Sequence, residues 1–229
     1  MKFEELGIGK GLLETLKRMR FTEPTPIQDK AIPLAYEGRD LIGNASTGSG
    51  KTLAFGAPII EKVKRRGGVQ ALIMAPTREL AEQVAKSMRK FAEEYDINIE
   101  EIYGGVSINP QITRLEHADI VVGTPGRILD HLERRTLSLS KISFLVLDEA
   151  DRMVDMGFLP DVEKIIKMCP RERQTMLFSA TTSPDVAYME KNYMNKPITI
   201  TVDSYVDPSK LKQVFYDVQN YEKFSLLVH

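Results

Sequence analysis

The chain has 229 residues, of which 42% are hydrophobic and 28% are charged, and its formal net charge is −1. This length and composition are typical of a globular protein with one large domain or two small ones. They exclude collagen-like, disordered and disulfide-scaffold proteins. The near-zero net charge also excludes a global basic field for nucleic acid, so any nucleic-acid site must depend on individually placed residues.

The apolar runs, such as Phe144 to Leu147, are far shorter than the ~20 residues of a membrane-spanning helix. The first residues lack the charged-then-apolar pattern of a secretion signal. The single cysteine, Cys169, cannot form an internal disulfide, and with the three histidines it makes no metal-ligand spacing. We therefore expect a cytoplasmic protein with no membrane partner, in which Cys169 is a small core residue rather than a catalytic thiol.

In chain order, short apolar segments alternate with longer segments of helical periodicity, and residues 1–39 precede them as a helical region. The predicted strands are 40–43, 70–75, 97–103, 119–123, 143–147, 175–179 and 198–202. The predicted helices are 50–66, 79–95, 110–115, 126–133, 160–168 and 184–195. Continuous Val, Ile, Leu and Met runs are typical of strands buried on both faces. The alternation predicts an α/β fold: a doubly wound, mostly parallel sheet with helices on both faces.

Two segments are less regular. The basic segment 62–66, followed by two glycines, is interpreted as the last turn of the first long helix, where cations complement the helix dipole. Residues 212–218 alternate in polarity, as at the start of a new strand.

The strongest local motif is the segment 45–52, which reads Ala-Ser-Thr-Gly-Ser-Gly-Lys-Thr between a predicted strand and a predicted helix. Glycines let successive N–H groups point at one phosphate chain, and the helix N-terminus adds a positive end. The motif predicts a phosphate-binding loop, in which Lys51 reaches the β- and γ-phosphates and Thr52 holds Mg²⁺. Ala45 stands where the general pattern has Gly. The predicted ATP-binding residues of this loop are Ser46, Thr47, Gly48, Ser49, Gly50, Lys51 and Thr52.

A strand that ends in acids supplies the second half of a nucleotide site. Residues 144–147 are apolar and are followed by Asp148 and Glu149, which puts carboxylates at the edge of the sheet where α/β proteins bind ligands. We expect this strand to neighbour the strand of the phosphate loop. Asp148 would hold Mg²⁺ through water, and Glu149 would orient and polarise the attacking water, so both are candidate catalytic residues with Lys51.

Residues 148–151 spell Asp-Glu-Ala-Asp, the signature of the DEAD-box ATP-dependent RNA helicases, and the chain resembles this family at further motifs in the expected order. Segment 20–28 resembles the Q motif, with Arg20 where Gly is usual, and Phe3 sits at the upstream aromatic position. The loop 45–52, Ala45 included, has the family's form. Matches to motif Ia, the GG motif, motif Ib and motif III follow at 76–81, 104–105, 124–127 and 179–181. The resemblance implies a RecA-like domain that binds ATP and Mg²⁺.

The resemblance also implies roles for individual residues. Gln28 would offer a donor and an acceptor to the adenine edge, and the ring of Phe21 would stack on the base. Ser179 and Thr181 would couple hydrolysis to unwinding through hydrogen bonds to Asp151, so all three are candidate coupling residues. Alternatively, Phe21 and Ile27 are core residues, and for Ile27 we prefer this interpretation. The hydroxyls of Ser179 and Thr181 could likewise serve as an ordinary helix cap.

RNA binding is implied by the same resemblance, at turns just beyond strands, where backbone N–H groups and helix N-termini can hold phosphates. Such contacts follow backbone and shape, so the implied RNA binding is independent of base sequence. Taken singly, an arginine at such a turn is more often a salt-bridged surface residue. The residues implied are Pro76, Thr77, Arg78, Gly105, Thr124 and Arg127.

The family works with two RecA-like domains, and the second carries the arginine fingers. The sequence has no arginine after Arg173, so no finger beyond motif III can act in cis. We therefore expect residues 1–205, with the Q-motif region 1–39, to form the N-terminal ATP-binding domain. Residues 206–229 would be a linker and the first segment of a missing C-terminal domain. Such a chain would bind ATP-Mg and RNA but hydrolyse ATP poorly and unwind nothing alone.

Two alternatives to a helicase half stay open at this point. One is a phosphate-loop ATPase with another task, and the other is a non-catalytic RNA-binding module that keeps the nucleotide fold. Gln28 and the two arginine motifs argue against the first, and intact Lys51, Asp148 and Glu149 argue against the second.

Overall fold

The computed structural model describes residues 2–46, 48–202, 214–219 and 221–228, and the elements below are those of these ranges. The strands are β1 (Leu41–Asn44), β2 (Ala71–Met74), β3 (Ile99–Ile102), β4 (Ile120–Gly123), β5 (Phe144–Leu147), β6 (Gln174–Ser179) and β7 (Ile198–Thr201). The helices are α1 (Lys10–Arg18), α2 (Pro26–Tyr36), α3 (Lys51–Lys62), α4 (Arg78–Phe91), α5 (Asn109–Leu115), α6 (Pro125–Glu133), α7 (Ala150–Asp155), α8 (Leu159–Met168), α9 (Pro184–Tyr193) and α10 (Lys223–Val228), after a 3₁₀ turn at Phe3–Glu5.

The seven strands form one sheet in the order β3-β4-β2-β5-β6-β1-β7, and every pair is parallel. This confirms the predicted α/β fold. The expectation that the acidic strand neighbours the strand of the phosphate loop is wrong, because β6 lies between β5 and β1. In that position β6 pairs Leu177 with Leu147 on one side and with Ile42 on the other.

Alternation along each strand divides the core into two layers, since successive side chains point to opposite faces. On one face, residues such as Ile73 and Phe178 pack with α1 to α4. On the other face, residues such as Leu72 and Leu177 pack with α5 to α9. The sheet is therefore covered on both sides, and its carboxyl edge is where the loops after the strands meet.

Close packing at β1 explains one glycine of that strand. A Cβ atom on Gly43 would lie 2.4 Å from the ring of Phe178, which also packs on Phe55 with ring centroids 5.4 Å apart. Any larger residue would push β1 away from β6 and would displace the loop that β1 carries.

The predicted helix over 50–66 is too long. Helix α3 ends at Lys62, because Val63 is extended and buried. The side chain of Gln70 then binds the main chain of Lys64: its Oε1 accepts from the N–H at 3.0 Å, and its Nε2 donates to the carbonyl at 2.7 Å. The basic residues 64–66 therefore form a turn rather than the last helical turn. Helix α7, directly after the two acids, is not among the predicted helices.

The N-terminal region is helical, as expected, and it is fixed to the rest of the fold through one carboxylate. Glu61 of α3 accepts from the hydroxyls of Tyr36 (2.7 Å) and Tyr95 (3.0 Å) and from the N–H of Gly9 (2.8 Å). The predicted boundary between residues 205 and 206 lies outside the described residues. So do residues 212 and 213 of the predicted strand, and its residues 214–218 are not in a strand.

Candidate functional site

The segment 45–50 carries the chain from β1 to α3 at the carboxyl edge of the sheet. The N–H of Ser49 donates to the carbonyl of Ser46 at 3.3 Å, and Gly50 has a φ of 95°, in the left-handed region that favours glycine. Helix α3 begins directly afterwards, with Lys51 buried and Thr52 half-buried in its first turn. The remaining loop residue, Thr47, lies outside the described residues.

Gln28 connects the Q-motif region to this loop. Its Oε1 accepts from the N–H of Thr25 at 2.9 Å, and its Nε2 donates to the carbonyl of Gly50 at 3.1 Å. A Cβ atom on Gly50 would lie 2.4 Å from that Nε2, so only glycine permits the approach. An amide has two donors and two acceptor positions, so one of each is left for a ligand.

Lys51 and Asp148 face each other across the site, although their strands are not neighbours. Lys51 Nζ lies 3.4 Å from Asp148 Oδ1, and the two residues are 6% and 3% exposed. Neither of these two atoms has a hydrogen-bond partner among the described residues. Burial raises the pKa of Asp148, and the charge of Lys51 opposes that rise. The pair is therefore a buried ion pair in which Lys51 Nζ and Asp148 Oδ1 have hydrogen-bonding capacity left for a ligand.

Glu149 follows in a sparsely populated backbone conformation, with a φ of 53° in the left-handed region, as the residue before α7. Its side chain is 9% exposed, and Oε2 accepts from Nη1 of Arg152 at 3.3 Å. Non-glycine residues in this region are often held there by function. Here the conformation turns the chain sharply from β5 into α7.

A cleft of about 310 Å³ lies between the loop, the Q-motif region and α4. Its volume is at the lower end of the range for ligand sites. Gln28, Lys51, Asp148 and Glu149 line it, and so does Phe21, whose ring packs edge-on against Phe91 with centroids 6.3 Å apart. Six of the predicted ATP-binding residues therefore line one cavity, whereas Ser46 and Ser49 line a second one; the six are Phe21, Gln28, Gly48, Gly50, Lys51 and Thr52. Ile27 is fully buried in the core, as we preferred.

Asp151 ties α7 to the end of β6. Its Oδ2 accepts from the N–H groups of Ala180 (3.1 Å) and Thr181 (3.0 Å) and from the hydroxyl of Thr181 (3.0 Å). Burial raises the pKa of Asp151, but these hydrogen bonds, led by that of Thr181, leave it below its ordinary value. Ser179 is fully buried and donates instead to the carbonyl of Thr181 at 2.7 Å.

The residues predicted to bind RNA lie on the other half of the carboxyl edge, after β2, β3 and β4, which are neighbours in the sheet. Thr77 caps α4 by accepting from the N–H of Leu80 at 3.3 Å, and Thr124 is the residue before α6. Pro76 is buried, so it presents little surface to a ligand, whereas Gly105 is exposed.

The two arginines of this half are both engaged with the neighbouring loop. Arg78 pairs with Glu82 at 3.0 Å and lies over the ring of Tyr103, 4.8 Å from its centroid. Arg127 donates from Nη2 to the carbonyl of Val106 at 2.9 Å, while its buried Nη1 has no hydrogen-bond partner among the described residues. The structure therefore places the arginines of motifs Ia and Ib against Tyr103 and Val106, the two residues that flank the GG motif.

The family model for DEAD/DEAH box helicase matches residues 25–189. The chain belongs to this family. Among curated relatives, the ATP-dependent RNA helicase CshA of Listeria monocytogenes is 48% identical over 99% of this chain and 44% of its own length. The protein of the same name from Limosilactobacillus reuteri is 45% identical over 99% of this chain and 46% of its own. This DEAD/DEAH box chain thus spans about half the length of the curated relatives it matches.

Solved structures agree with the family assignment. A DEAD box protein from the hyperthermophile Methanococcus jannaschii superposes with a TM-score of 0.87 at 41% identity, over 99% of this chain and 62% of that one. An ATP-dependent RNA helicase from Sulfolobus tokodaii, described as hypothetical, gives 0.80 at 36% identity, over 85% of this chain and 57% of that one. The three-layer architecture of this DEAD/DEAH box chain is therefore that of known members.

Sequence reasoning missed one wall of the nucleotide cleft. Helix α4 lines it with Leu80, Gln83, Val84, Ser87 and Phe91, which recur at helical spacing on one face. That periodicity is readable in the sequence, but it predicts a core face as readily as a ligand wall. In this DEAD/DEAH box chain the same helix begins in the motif Ia turn, so it touches both halves of the edge.

The remaining features are structural. Cys169 is buried, its Sγ lies 3.5 Å from the carbonyl of Ile165, and burial raises the pKa of its thiol to about 11. The thiol is therefore protonated at neutral pH, which supports a packing role. Over the described ranges, no helix combines the length and apolar character that crossing a bilayer requires, and no group of three or more His, Cys, Asp or Glu could hold a metal ion.

Proposed function

We propose that this chain is the ATP- and RNA-binding half of an ATP-dependent RNA helicase. The observation that carries the proposal is the division of one sheet edge into two sites with different chemistry. The loops after β1 and β5 surround a cleft with a buried lysine and carboxylate, while those after β2, β3 and β4 present arginines and helix N-termini. Asp151 lies within the first half, on α7, and is hydrogen-bonded to Thr181, which follows β6, the strand between β1 and β5.

The cleft suits a nucleoside triphosphate. Lys51 Nζ and Asp148 Oδ1 are buried polar atoms of this cleft without a hydrogen-bond partner among the described residues, and such atoms are costly unless a ligand satisfies them. Lys51 would contact the β- and γ-phosphates, and Glu149 would orient the attacking water. Gln28, with one free donor and one free acceptor, would contact adenine, with Phe21 against the base.

The donor set also fits Mg²⁺, which prefers oxygen ligands and keeps several waters. The hydroxyl of Thr52 and the carboxylate of Asp148 would hold the ion, Asp148 through water. When bound, the ion would neutralise negative charge on the β- and γ-phosphates. Asp148 has a raised pKa in the ligand-free chain, and a nearby cation would favour its charged form.

The opposite half suits a nucleic-acid backbone rather than bases. Arg78 and Arg127 supply positive charge, and α4 and α6 begin at Thr77 and Thr124 with N–H groups available to phosphates. We propose that RNA is held here independently of its base sequence. Hydrogen bonds between Asp151 and Thr181 would transmit the state of the nucleotide cleft to the rest of the edge.

Efficient hydrolysis and unwinding are proposed to require a second RecA-like domain. This chain covers 44% to 46% of the length of the two CshA relatives, and residues 1–205 would be the first domain of such a protein. An arginine from the second domain would then complete the γ-phosphate site. The buried thiol of Cys169 suits a reducing compartment, and we propose the cytoplasm.

The test is steady-state ATP hydrolysis by this chain, with and without single-stranded RNA, and then with a second RecA-like domain added in trans. We expect near-zero rates for the chain alone and RNA-dependent turnover after the addition. Robust turnover by the chain alone, unaffected by RNA, would instead favour a phosphate-loop ATPase with another task. The matched control is the Glu149→Gln variant, which should bind ATP and lack turnover in every mixture.

A further inference from the structure

The loop over residues 103–107, between β3 and α5, is held from the protein side by the buried side chain of Gln111 and the half-buried side chain of Arg127. Nε2 of Gln111 donates to the carbonyls of Tyr103 (3.2 Å) and Ser107 (3.5 Å), at the two ends of the loop. Nη2 of Arg127 donates to the carbonyl of Val106 between them. By contrast, no N–H group of residues 104–107 donates a hydrogen bond to a described residue. Three carbonyls of the loop therefore accept hydrogen bonds from Gln111 and Arg127, and the N–H groups of residues 104–107 are available to a ligand.

Gln111 is itself fixed by a histidine. It is 2% exposed, and its Oε1 lies 3.4 Å from Nε2 of His131, which is fully buried on α6. Because the loop carbonyls only accept, the amide nitrogen of Gln111 must face them and its oxygen must face the ring. The neutral His131 ring therefore carries its proton on Nε2, so its Nδ1 accepts from the hydroxyl of Thr136 at 2.8 Å, a shorter contact than the 3.2 Å from that hydroxyl to the carbonyl of His131.

The end of α6 holds Thr136 in place. Arg135 has a φ of 57°, in the left-handed region; its N–H donates to the carbonyl of Leu132, and the N–H of Thr136 donates to the carbonyl of His131. These two bonds form a Schellman motif, which closes a helix C-terminus. This turn brings the hydroxyl of Thr136 next to Nδ1 of His131.

A neutral ring suits this environment. Burial lowers the pKa of His131, and the positive charge of Arg127, one helical turn earlier, lowers it further, with Arg134 adding to the effect and Asp130 opposing it. Each polar atom of the neutral ring then has one partner, as buried polar groups require. Arg127 and His131 lie four residues apart on one helix, so one face of α6 makes both connections to the loop.

We propose that Gln111, His131 and Thr136 form a hydrogen-bonded chain that positions the 103–107 loop against α6, so that Gly105 and Arg127 are presented together. The proposal rests on the proposed function for its consequence, which is RNA affinity. His131 and Gln111 are positioning residues, since neither is exposed to touch RNA. Without the chain, the loop would retain only its bond to Arg127 among these contacts.

The variants are His131→Leu and Gln111→Leu, with Thr136→Val as a gentler change at a half-buried position. Affinity for a labelled single-stranded RNA, by fluorescence anisotropy at fixed salt, should fall about tenfold in each leucine variant, the equivalent of one hydrogen bond. The double variant should be no weaker than the singles, because both break one chain. His131→Gln, which again places an N–H donor near Oε1 of Gln111, should recover most of the affinity.

Gln174→Leu is the matched control. Gln174 is also a buried glutamine whose amide donates to two backbone carbonyls, those of Ala35 and Arg39, but at the opposite edge of the sheet. Its variant should lower thermal stability without a selective loss of RNA affinity. ATP affinity, measured by calorimetry, should stay within about twofold of wild type in all variants. An RNA loss in Gln174→Leu equal to that in His131→Leu would overturn the proposal.

A second measurement keeps the inference separate from the proposed function. Backbone ¹⁵N relaxation should report an ordered 103–107 loop in the wild type and a mobile one in His131→Leu and Gln111→Leu. If the loop is equally ordered in wild type and variants, the positioning chain is refuted whatever the RNA result. If the loop loosens but the wild-type chain and an Arg127→Ala variant bind RNA equally poorly, the proposed function fails and the positioning role stands.

Discussion

Buried charged groups at the two edges of the sheet can differ in their hydrogen bonds, as Asp40 and the Lys51–Asp148 pair show. At the amino edge, Asp40 is 5% exposed, and its two oxygens accept from the N–H groups of Thr175 (2.7 Å) and Asn195 (2.6 Å). At the carboxyl edge, Lys51 and Asp148 are as deeply buried but have no hydrogen bond from Nζ or Oδ1 to a described residue. Burying charge without hydrogen bonds is expensive, so we expect the Lys51–Asp148 pair to cost the fold stability that the hydrogen-bonded Asp40 supplies.

Cavity size alone would have pointed to the wrong edge. A larger cleft of about 560 Å³ lies at the amino edge, lined by Asp40, Thr175 and Asn195, against about 310 Å³ at the nucleotide cleft. The buried carboxylate in the larger cleft, that of Asp40, is already used by backbone N–H groups. The candidate site is distinguished instead by the buried pair of Lys51 and Asp148, whose Nζ and Oδ1 lack hydrogen-bond partners among the described residues, although Asp119 Oδ1 and Gln174 Oε1 at the amino edge lack them as well.

The largest expected effect is on ligand binding at the carboxyl edge. Lys51→Ala should weaken ATP binding by about 100-fold or more, because it removes the cation aimed at the β- and γ-phosphates. Isothermal titration calorimetry measures this directly. Lys62→Ala is the control at the other end of the same helix, where Nζ donates to the carbonyl of Tyr36 at 2.7 Å. Equal ATP affinity in Lys51→Ala and wild type would remove the phosphate-loop assignment.

The amino edge should respond in the opposite sense. Asp40→Ala leaves two buried N–H groups without an acceptor, and we expect it to lower the free energy of unfolding by about 3 kcal/mol. Urea denaturation followed by circular dichroism measures the loss, with the exposed Glu37→Ala as its control. ATP affinity of the folded variant should match wild type. A selective loss of ATP affinity there would break the distinction between the edges.

Most strands were predictable from a short apolar run, although β3 and β7 contain polar residues, and the structure confirms all seven within a few residues. Their order was not, because helical connections let parallel strands be placed in many orders. The position of β6 between β1 and β5 is therefore known from the structure and was not predictable from the sequence. Helix ends were also missed where a distant side chain decides them, as Gln70 does for the end of α3.

The candidate site was predictable as far as it follows motifs. The phosphate loop and the acids at 148 and 149 come at strand ends, and the carboxyl ends of parallel strands share one edge. What the sequence did not reveal are partners distant in the chain: Gln28 on Gly50, the α4 wall, and His131 on Gln111. Buried polar contacts of this kind have no periodicity that a single sequence would display.

The smallest predicted effect is at Asp151. This residue lies at the carboxyl edge, as Asp148 does, but its Oδ2 accepts hydrogen bonds, as the oxygens of Asp40 do. Thr181→Val removes one of three bonds to its Oδ2 and should cost about 1 kcal/mol of stability at neutral pH. The neighbouring exposed Thr182→Val, which has the same change in chemistry, should cost less than about 0.5 kcal/mol.

The pH dependence gives this prediction a sign. The folded-state pKa of Asp151 lies below its ordinary value of 3.8, so its hydrogen bonds stabilise the fold above that pH, and the stabilisation is lost as the pH falls through the folded pKa. The stability difference between wild type and Thr181→Val should therefore be constant near neutrality and shrink in acid. Carboxyl ¹³C titration should show the pKa of Asp151 rising in the variant. An unchanged pKa would mean that the backbone N–H groups alone hold Asp151, and that the hydroxyl serves a different purpose at this edge.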